Sequence, residues 1–546
     1  MNPLTADSDA LERLVAGLRA ENPLARELVP VADPVFMSLR RDGRGVWSEW
    51  YEGGNFIEAL DEAFDWHQPG KADVLEVCLT RNYRDVPTDR LTKAFADPFR
   101  GRRGIEISSR FGLRRQSPSQ TIAANRRLDR ELALYLEEFG LDERAFRRGH
   151  GVVRSFAGRQ LLFFLDGPTR CIELYRGNRI VEPAAVGVPM VRDLVDGMVG
   201  WTLANTATDG RLTYEYWPSL GEASDADNTI RRFMATIAML RAARTLGRRD
   251  LLDAADRNLR YNLERFYVEV DGIGGIAWDG SIKLGAMALA ALAILEHPSR
   301  GSYEVMREKL SAGVDLLWRS DGAFRTFLRP EERNDNQESY PGQALLYWAR
   351  LHEETRDPTL RERYMKSYRY YRDRHLASRK PAFVPWHSQA CAMLYAQTGE
   401  TDLRDWVFEM NDWLVPMQQW GAPLSPDLWG RFVDRRQPKF GPSHASATGA
   451  YLAGLADALK LARDAGDTAR AALYERAVWR AVRSLRQLQF ADTVDAFYTR
   501  HRDRVLGGLR TEIYDNRIRV DNVQHGLIAL LKLPDVLQFS FGHDPG

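Results

Sequence analysis

The sequence predicts an α+β multidomain chain, an N-terminal α/β module followed by an (α/α)6 toroid. Three observations predict it. Near residue 185 the hydrophobic patterning changes from mixed strand and helix periods to helix alone. Beyond that point six segments rich in Ala, Gly and Leu alternate with six amphipathic ones. The connections between them are short in one direction and long in the other. The boundaries are 1–30 for an N-terminal helix and linker, 31–184 for the α/β module and 185–546 for the toroid.

Within the first part, "PVFMSLRR" from Pro34 reads as a strand and "NFIEALDEAFDWH" from Asn55 has helical period. "ADVLEVCLT" and "GIEISS" are strands again. "SPSQTIAANRRLDRELALYLEEFGL" opens with a Ser-Pro cap signal and continues as a helix. "VVRSFAGRQLLFFLDG" reads as a hairpin-like strand pair. The order and the stretches "RRGIEISSRFGLRRQSPSQTIAANRRL" and "LYLEEFGLDERAF" resemble the AMME-region domain, a small α/β family. Its Arg-Gly-Cys-Ile-Gly signature is absent, and the resemblance supplies no functional residue.

In the second part the small-residue segments start at Asp227, Ile282, Tyr340, Trp386, Ala445 and Asp521. Helices so uniformly apolar are packed on most sides. The segments from Val188, Leu251, Tyr303, Leu360, Leu403 and Ala472 carry charge on one face and apolar or aromatic residues on the other, as outer helices do. Strict alternation of six and six fits a closed ring; an open helical solenoid is the alternative, and the repeat length of roughly 45–75 residues favours closure. Returns from outer to inner helices are long, for example "RSDGAFRTFLRPEERNDNQES". Long loops gathered on one rim of a rigid scaffold carry function. All of them end at the N-terminus of an inner helix, so six polar helix entrances are expected around one mouth.

Composition excludes several classes. The chain has 546 residues, 44% hydrophobic and 28% charged, an ordinary globular composition. A formal net charge of +1 gives no electrostatic case for nucleic acid or an anionic membrane. Cys78, Cys171 and Cys391 are widely spaced, without CxxC or Cys/His patterns, so neither a disulfide framework nor a metal site is expected. The N-terminal stretch has early acids and no apolar signal region, and no apolar run approaches the roughly 18 residues of a membrane span. The expectation is a cytoplasmic protein without a cofactor.

The entrances offer Asp227, Asn228 and Arg231; Trp278, Asp279 and Lys283; Gln337, Glu338 and Tyr340; Trp386, His387 and Gln389; Ser443, His444 and Ser446; and Arg519, Asp521, Gln524 and His525. Acids, imidazoles, cations and aromatics together are a toolkit for acid/base work on a polyhydroxylated ligand. Each also has a structural reading. Asp227, Asp521 and Ser443 are natural N-caps, the histidines can sit in the core, and Arg231 and Arg519 can pair with Asp227 and Asp521.

Residues from about 185 to 535 resemble the (α/α)6-toroid carbohydrate-active enzymes, among them glucuronyl C5-epimerase C-terminal domains, N-acylglucosamine 2-epimerases and unsaturated glucuronyl hydrolases. "DGAFR", "ESYPGQALLYWARL" and "GGLRTEIYDNRIRVDNVQH" look like loop-to-helix pieces of such enzymes. The Cys/His zinc sites of lanthionine cyclases and prenyltransferases and the DxDD motif of squalene-type cyclases are missing. The resemblance implies metal-independent sugar chemistry, hydrolysis or epimerisation, on an acidic sugar or oligosaccharide. Glu338 and Asp521 are the expected carboxylate pair, with His525, His387 and Tyr340 as further proton-transfer groups. Arg231, Lys283 and Arg519 would hold a carboxylate, and Trp278 and Trp386 would stack on sugar faces. Asp227, Asn228, Gln337, Gln389 and Gln524 complete the expected binding set. The alternative is a non-catalytic polysaccharide-binding or assembly subunit, with residues 31–184 docking a protein partner.

Overall fold

The computed structural model describes residues 2–20, 28–66, 71–436 and 443–541. The expected linker at 21–27 and part of the long return loop, 437–442, lie outside the described residues.

Helix α1 (Ser8–Arg19), capped by the Asp7 carboxylate, precedes a sheet. Strands β1 (Val35–Arg41) and β2 (Arg44–Tyr51) form a hairpin, followed by α2 (Phe56–Trp66) and β3 (Val74–Asp85). Next come β4 (Arg103–Ser109), β5 (Gly112–Gln116), α3 (Pro118–Ala123), α4 (Glu131–Glu138), α5 (Glu143–Arg148), β6 (Val152–Phe164) and β7 (Arg170–Leu174). The strand order is β2-β1-β3-β6-β4-β5, with β7 also on β6, and every pairing is antiparallel. Helices α1 and α2 bury Leu11, Val15, Phe56 and Leu60 against Val35, Leu39, Val77 and Phe163 on one face. On the other face Val74 and Leu162 enter the hydrophobic core of the helical ring.

Two expectations differ here. The expected hairpin at 152–167 is one long strand, because Gly158 is a contact and not a turn: a Cβ there would lie 2.3 Å from the Cys78 sulfur on β3. The single helix expected from 117 stops after Ala123, because Asn125 turns left-handed with φ 49°. The Ser117 capping box at its start is present.

The ring follows. Outer helices are α6 (Val188–Ala204), α8 (Arg249–Phe266), α10 (Glu304–Leu317), α12 (Pro358–Ala377), α14 (Thr401–Leu414) and α16 (Thr468–Leu488). Inner helices are α7 (Thr229–Leu246), α9 (Leu284–Glu296), α11 (Tyr340–Thr355), α13 (Val384–Thr398), α15 (His444–Asp464) and α17 (Val520–Leu530). Each inner helix packs on the next, and α17 packs on α7, which closes the circle. Every residue of α9 is buried, as its Ala- and Leu-rich sequence requires. Among the described residues no helix is long and apolar enough to cross a membrane.

The return loops fold into two small sheets on the rim. One joins β8 (Glu215–Trp217), β9 (Glu222–Ala223), and the later β14 (Arg510–Glu512) and β15 (Asp515–Arg519). The other joins β10 (Tyr267–Val270), β11 (Ile273–Trp278), β12 (Ser281–Lys283) and β13 (Phe327–Arg329). Both β12 and β15 run directly into inner helices, so strand pairing sets the position of Lys283 and Arg519. At the opposite end of the ring, Arg241 pairs with Glu296 and Lys532 with Asp457, each at 2.6 Å.

Candidate active site

Strand β15 is held by β8, with Glu215 opposite Arg519, and the Val520 amide donates to the Tyr214 carbonyl at 2.9 Å. This puts Arg519 beside Asp521 in the first turn of α17. The Arg519 guanidinium grips that carboxylate through Nε at 3.0 Å and Nη2 at 2.6 Å. Arg231, one turn into α7, reaches the same carboxylate with Nε at 3.1 Å. Arg231 also donates to the Tyr214 hydroxyl and lies 5.4 Å over that ring. Asp521 is only 2% exposed. Burial lowers the pKa of Arg231; Asp521 opposes the shift and Arg519 adds to it.

One turn beyond Asp521, His525 meets Trp386 edge-to-face at 6.0 Å. Burial pushes the His525 pKa down to about 4; Asp521 counteracts this and the two arginines reinforce it. Its imidazole is therefore neutral at ordinary pH. Burial raises the Tyr340 phenol to about 12, with Asp335 adding and Arg333 and Arg231 opposing, so it remains a proton donor. Lys283 is half-buried, and its pKa is lowered by burial and by Arg333, against the pull of Asp279 and Asp335. Among the described residues its ammonium has no ion pair, whereas Arg333 is matched by Asp335 at 2.9 Å. Asp521 neutralises one of two guanidinium charges. The other, with Lys283, leaves the mouth cationic, and the N-termini of α7, α9, α11 and α17 add positive dipole ends. Gln524 is 3% exposed with neither amide atom bonded, and the Oε1 of the buried Gln343 is also without a partner. Unpaired buried groups of this kind call for a ligand or water.

Other expected residues have different employment. Glu338 does not join Asp521: it is ion-paired with Lys380 and lines a separate cavity beyond the α11 entrance. Burial is the largest single influence on its pKa and raises it, but the hydrogen bond and charge of Lys380, a backbone amide and Arg374 together lower it. Gln337 bonds to the Phe324 carbonyl, Asn334 and the Tyr371 hydroxyl, which ties down the loop ahead of α11. Asp227 is bidentate to Arg232, and Asn228 caps α7. Gln389 bonds to the Pro385 carbonyl and accepts from Lys532, facing the far end of the ring. Trp278 packs edge-on against Phe266 at 5.6 Å, and Asp279 occupies the left-handed turn between β11 and β12. His387 is buried, stacked on Phe383 at 3.6 Å, and its pKa is driven well below the ordinary value by burial and by His375. Ser443 bonds to Asn522, His444 sits between Ser484 and Glu512, and Ser446 is buried. Asp279 is exposed and close enough to Lys283 to act on its charge.

Tyr214, Arg333 and Lys380 were not singled out in the sequence. Tyr214 lies in the return loop ahead of α7, within the alternating stretch "LTYEYW", a strand signal that would have placed it against β15. Among the described residues, no group of three or more His, Cys, Asp or Glu side chains is arranged to hold a metal.

No protein-family model matches the chain, and no curated protein matches it in sequence. Solved structures do resemble it in architecture. An unsaturated glucuronyl hydrolase specific for heparin aligns at 12% identity and a TM-score of 0.48, over 65% of this chain and all of the other. A D-mannose isomerase aligns at 11% identity and 0.47, over 64% of this chain and 98% of the other. A cellobiose 2-epimerase from Bacillus thermoamylovorans aligns at 12% identity and 0.46, over 63% and 98%. All three are (α/α)6-toroid enzymes, and the resemblance is architectural. At this level it says nothing of substrate or reaction for this chain.

Proposed function

We propose that the chain is a carbohydrate-active enzyme that moves a proton on an acidic sugar in the mouth of the ring, an epimerase- or isomerase-type reaction. One observation carries this reading: a carboxylate held by two guanidinium groups, Asp521, stands one helical turn from a neutral imidazole, His525. The uncompensated charge of Lys283 and the arginine pair supports an anionic ligand. A sugar carboxylate brought there would raise the His525 pKa from about 4 toward neutrality, which suits a general base. Asp521 would stabilise the imidazolium that forms. The Tyr340 phenol supplies a donor for the oxygen that gains charge.

A two-carboxylate glycosidase fits less well. Its acid must be a carboxyl group of raised pKa, and Glu338 is shifted the other way by Lys380. With Asp521 bound to two arginines, neither member of the expected pair is free for its role.

The experiment is incubation of the protein with a panel of uronic acids and aldoses in D2O, followed by proton NMR. The expected result is loss of a C–H signal next to the carboxylate or carbonyl of an acidic sugar. His525→Gln should slow this by about 100-fold or more. Binding without exchange would make the protein a sugar-binding subunit, and neither binding nor exchange would remove the reading altogether.

A further inference from the structure

A cavity of about 450 Å3 lies between the C-terminal turn of α12 and the entrances of α11 and α13. Its size is within the roughly 300–1,000 Å3 typical of ligand pockets. Glu338, Tyr370, Asp373, Arg374, Lys380 and Phe383 line it. Two carboxylates face two cations, so the lining has no net charge. A phosphate or a second sugar acid would meet Glu338 and Asp373, and a cationic ligand would meet Lys380 and Arg374. A neutral polyol suits the set, because each hydroxyl both donates and accepts a hydrogen bond. The rings of Tyr370 and Phe383 supply apolar surface for the C–H face of a pyranose. His375 also lines the cavity; it is buried, stacked on Phe383 at 4.3 Å, and its Nε2 has no hydrogen-bond partner.

The cavity and the mouth are lined by neighbouring residues at the entrances of α11 and α13. Glu338 stands two residues before Tyr340 of the mouth. Phe383 stacks on His387, whose neighbour Trp386 contacts His525. A chain of linked sugars crossing the rim between α11 and α13 would touch both. We propose that this cavity binds an uncharged pyranose unit of an oligosaccharide whose acidic residue occupies the mouth. The inference rests on the reading of the mouth as an acidic-sugar site, and makes the substrate an oligosaccharide.

The test is hydrogen–deuterium exchange of the full-length protein with trisaccharides of neutral hexoses ending in a uronic acid, and with the free uronic acid alone. The trisaccharide should slow exchange over residues 370–383 and the free acid should not. Tyr370→Ala should weaken trisaccharide affinity by about tenfold. Protection confined to the first turns of α7, α9 and α17, unchanged affinity in the Tyr370 variant, or no trisaccharide binding would each overturn the proposal. The two readings fail separately. Proton exchange on a free uronic acid with no protection at 370–383 leaves the mouth standing and removes the cavity. Protection at 370–383 with no proton exchange on any sugar leaves the cavity as a sugar site and removes the proton-transfer reading of the mouth.

Discussion

Two guanidinium groups converge on the Asp521 carboxylate, and the histidines near this end of the ring take their protonation from the same burial. The pKa values of His525 and His375 are both near 4, against an ordinary 6.5, with burial the largest cause in each. As pH falls below 6.5 the unfolded chain takes up protons that the folded chain refuses. Stability present in full above pH 6.5 is therefore lost progressively toward pH 4. The loss should be on the order of 2 kcal/mol for the buried His375, and less for the partly exposed His525. Urea midpoints measured from pH 7 to pH 4 would show the fall, and His375→Phe should flatten it; an unchanged slope in that variant contradicts the assignment. At this scale the sequence was legible in part. Arg231, Arg519, Asp521 and His525 were recognisable because they cluster at helix entrances. The employment of Gln337 and Asp227 was not, since their partners Phe324 and Arg232 are set by loop geometry that no spacing reveals.

The elements show the same division. All six inner helices begin within two residues of the small-residue segments that announce them. Composition alone required their burial. Where the sequence pattern predicts a hairpin, β6 is one long strand in which Gly158 lets β3 approach. The β1–β2 hairpin offers a test at this scale. Its Asp42-Gly43 turn has φ of 48° and 75°, the left-handed pair that a two-residue hairpin needs. A Cβ at Gly43 would lie 2.1 Å from the Thr499 carbonyl oxygen in the loop after α16. Gly43→Val therefore meets both backbone strain and a collision with main chain, at about 2–4 kcal/mol. Thermal unfolding should shift down sharply, while Asp42→Asn, which tolerates the same turn, should change little. Equal stability of the two variants would mean that the hairpin tip does not seat on the ring.

At the scale of the whole molecule, the N-terminal sheet and the ring meet through the hairpin that carries Arg519. The Asn125 amide donates to Asp515 at 3.0 Å, Asn516 donates to the Ile122 carbonyl at 2.9 Å, and Arg100 donates to the Tyr514 carbonyl at 2.9 Å. From the other side β8 holds the same hairpin. The left-handed Asn125 that ended a helix too early for the sequence pattern is thus the residue that reaches across. A sheet that only docked a partner would not need these bonds, and their placement makes the module a brace for the mouth. Asn516→Ala removes three bonds of a buried side chain, to Ile122, Tyr498 and Ser219, without touching Arg519 or Asp521. It should cost about 1–3 kcal/mol of stability. It should also loosen the Arg519 grip on Asp521, so that affinity for the acidic sugar falls several-fold with the His525-dependent pH profile unchanged in shape. The measurement is titration calorimetry at a temperature where circular dichroism shows the variant fully folded. A variant that is destabilised but binds the sugar as tightly as the parent would separate the module from the site, since the brace would then support the fold alone.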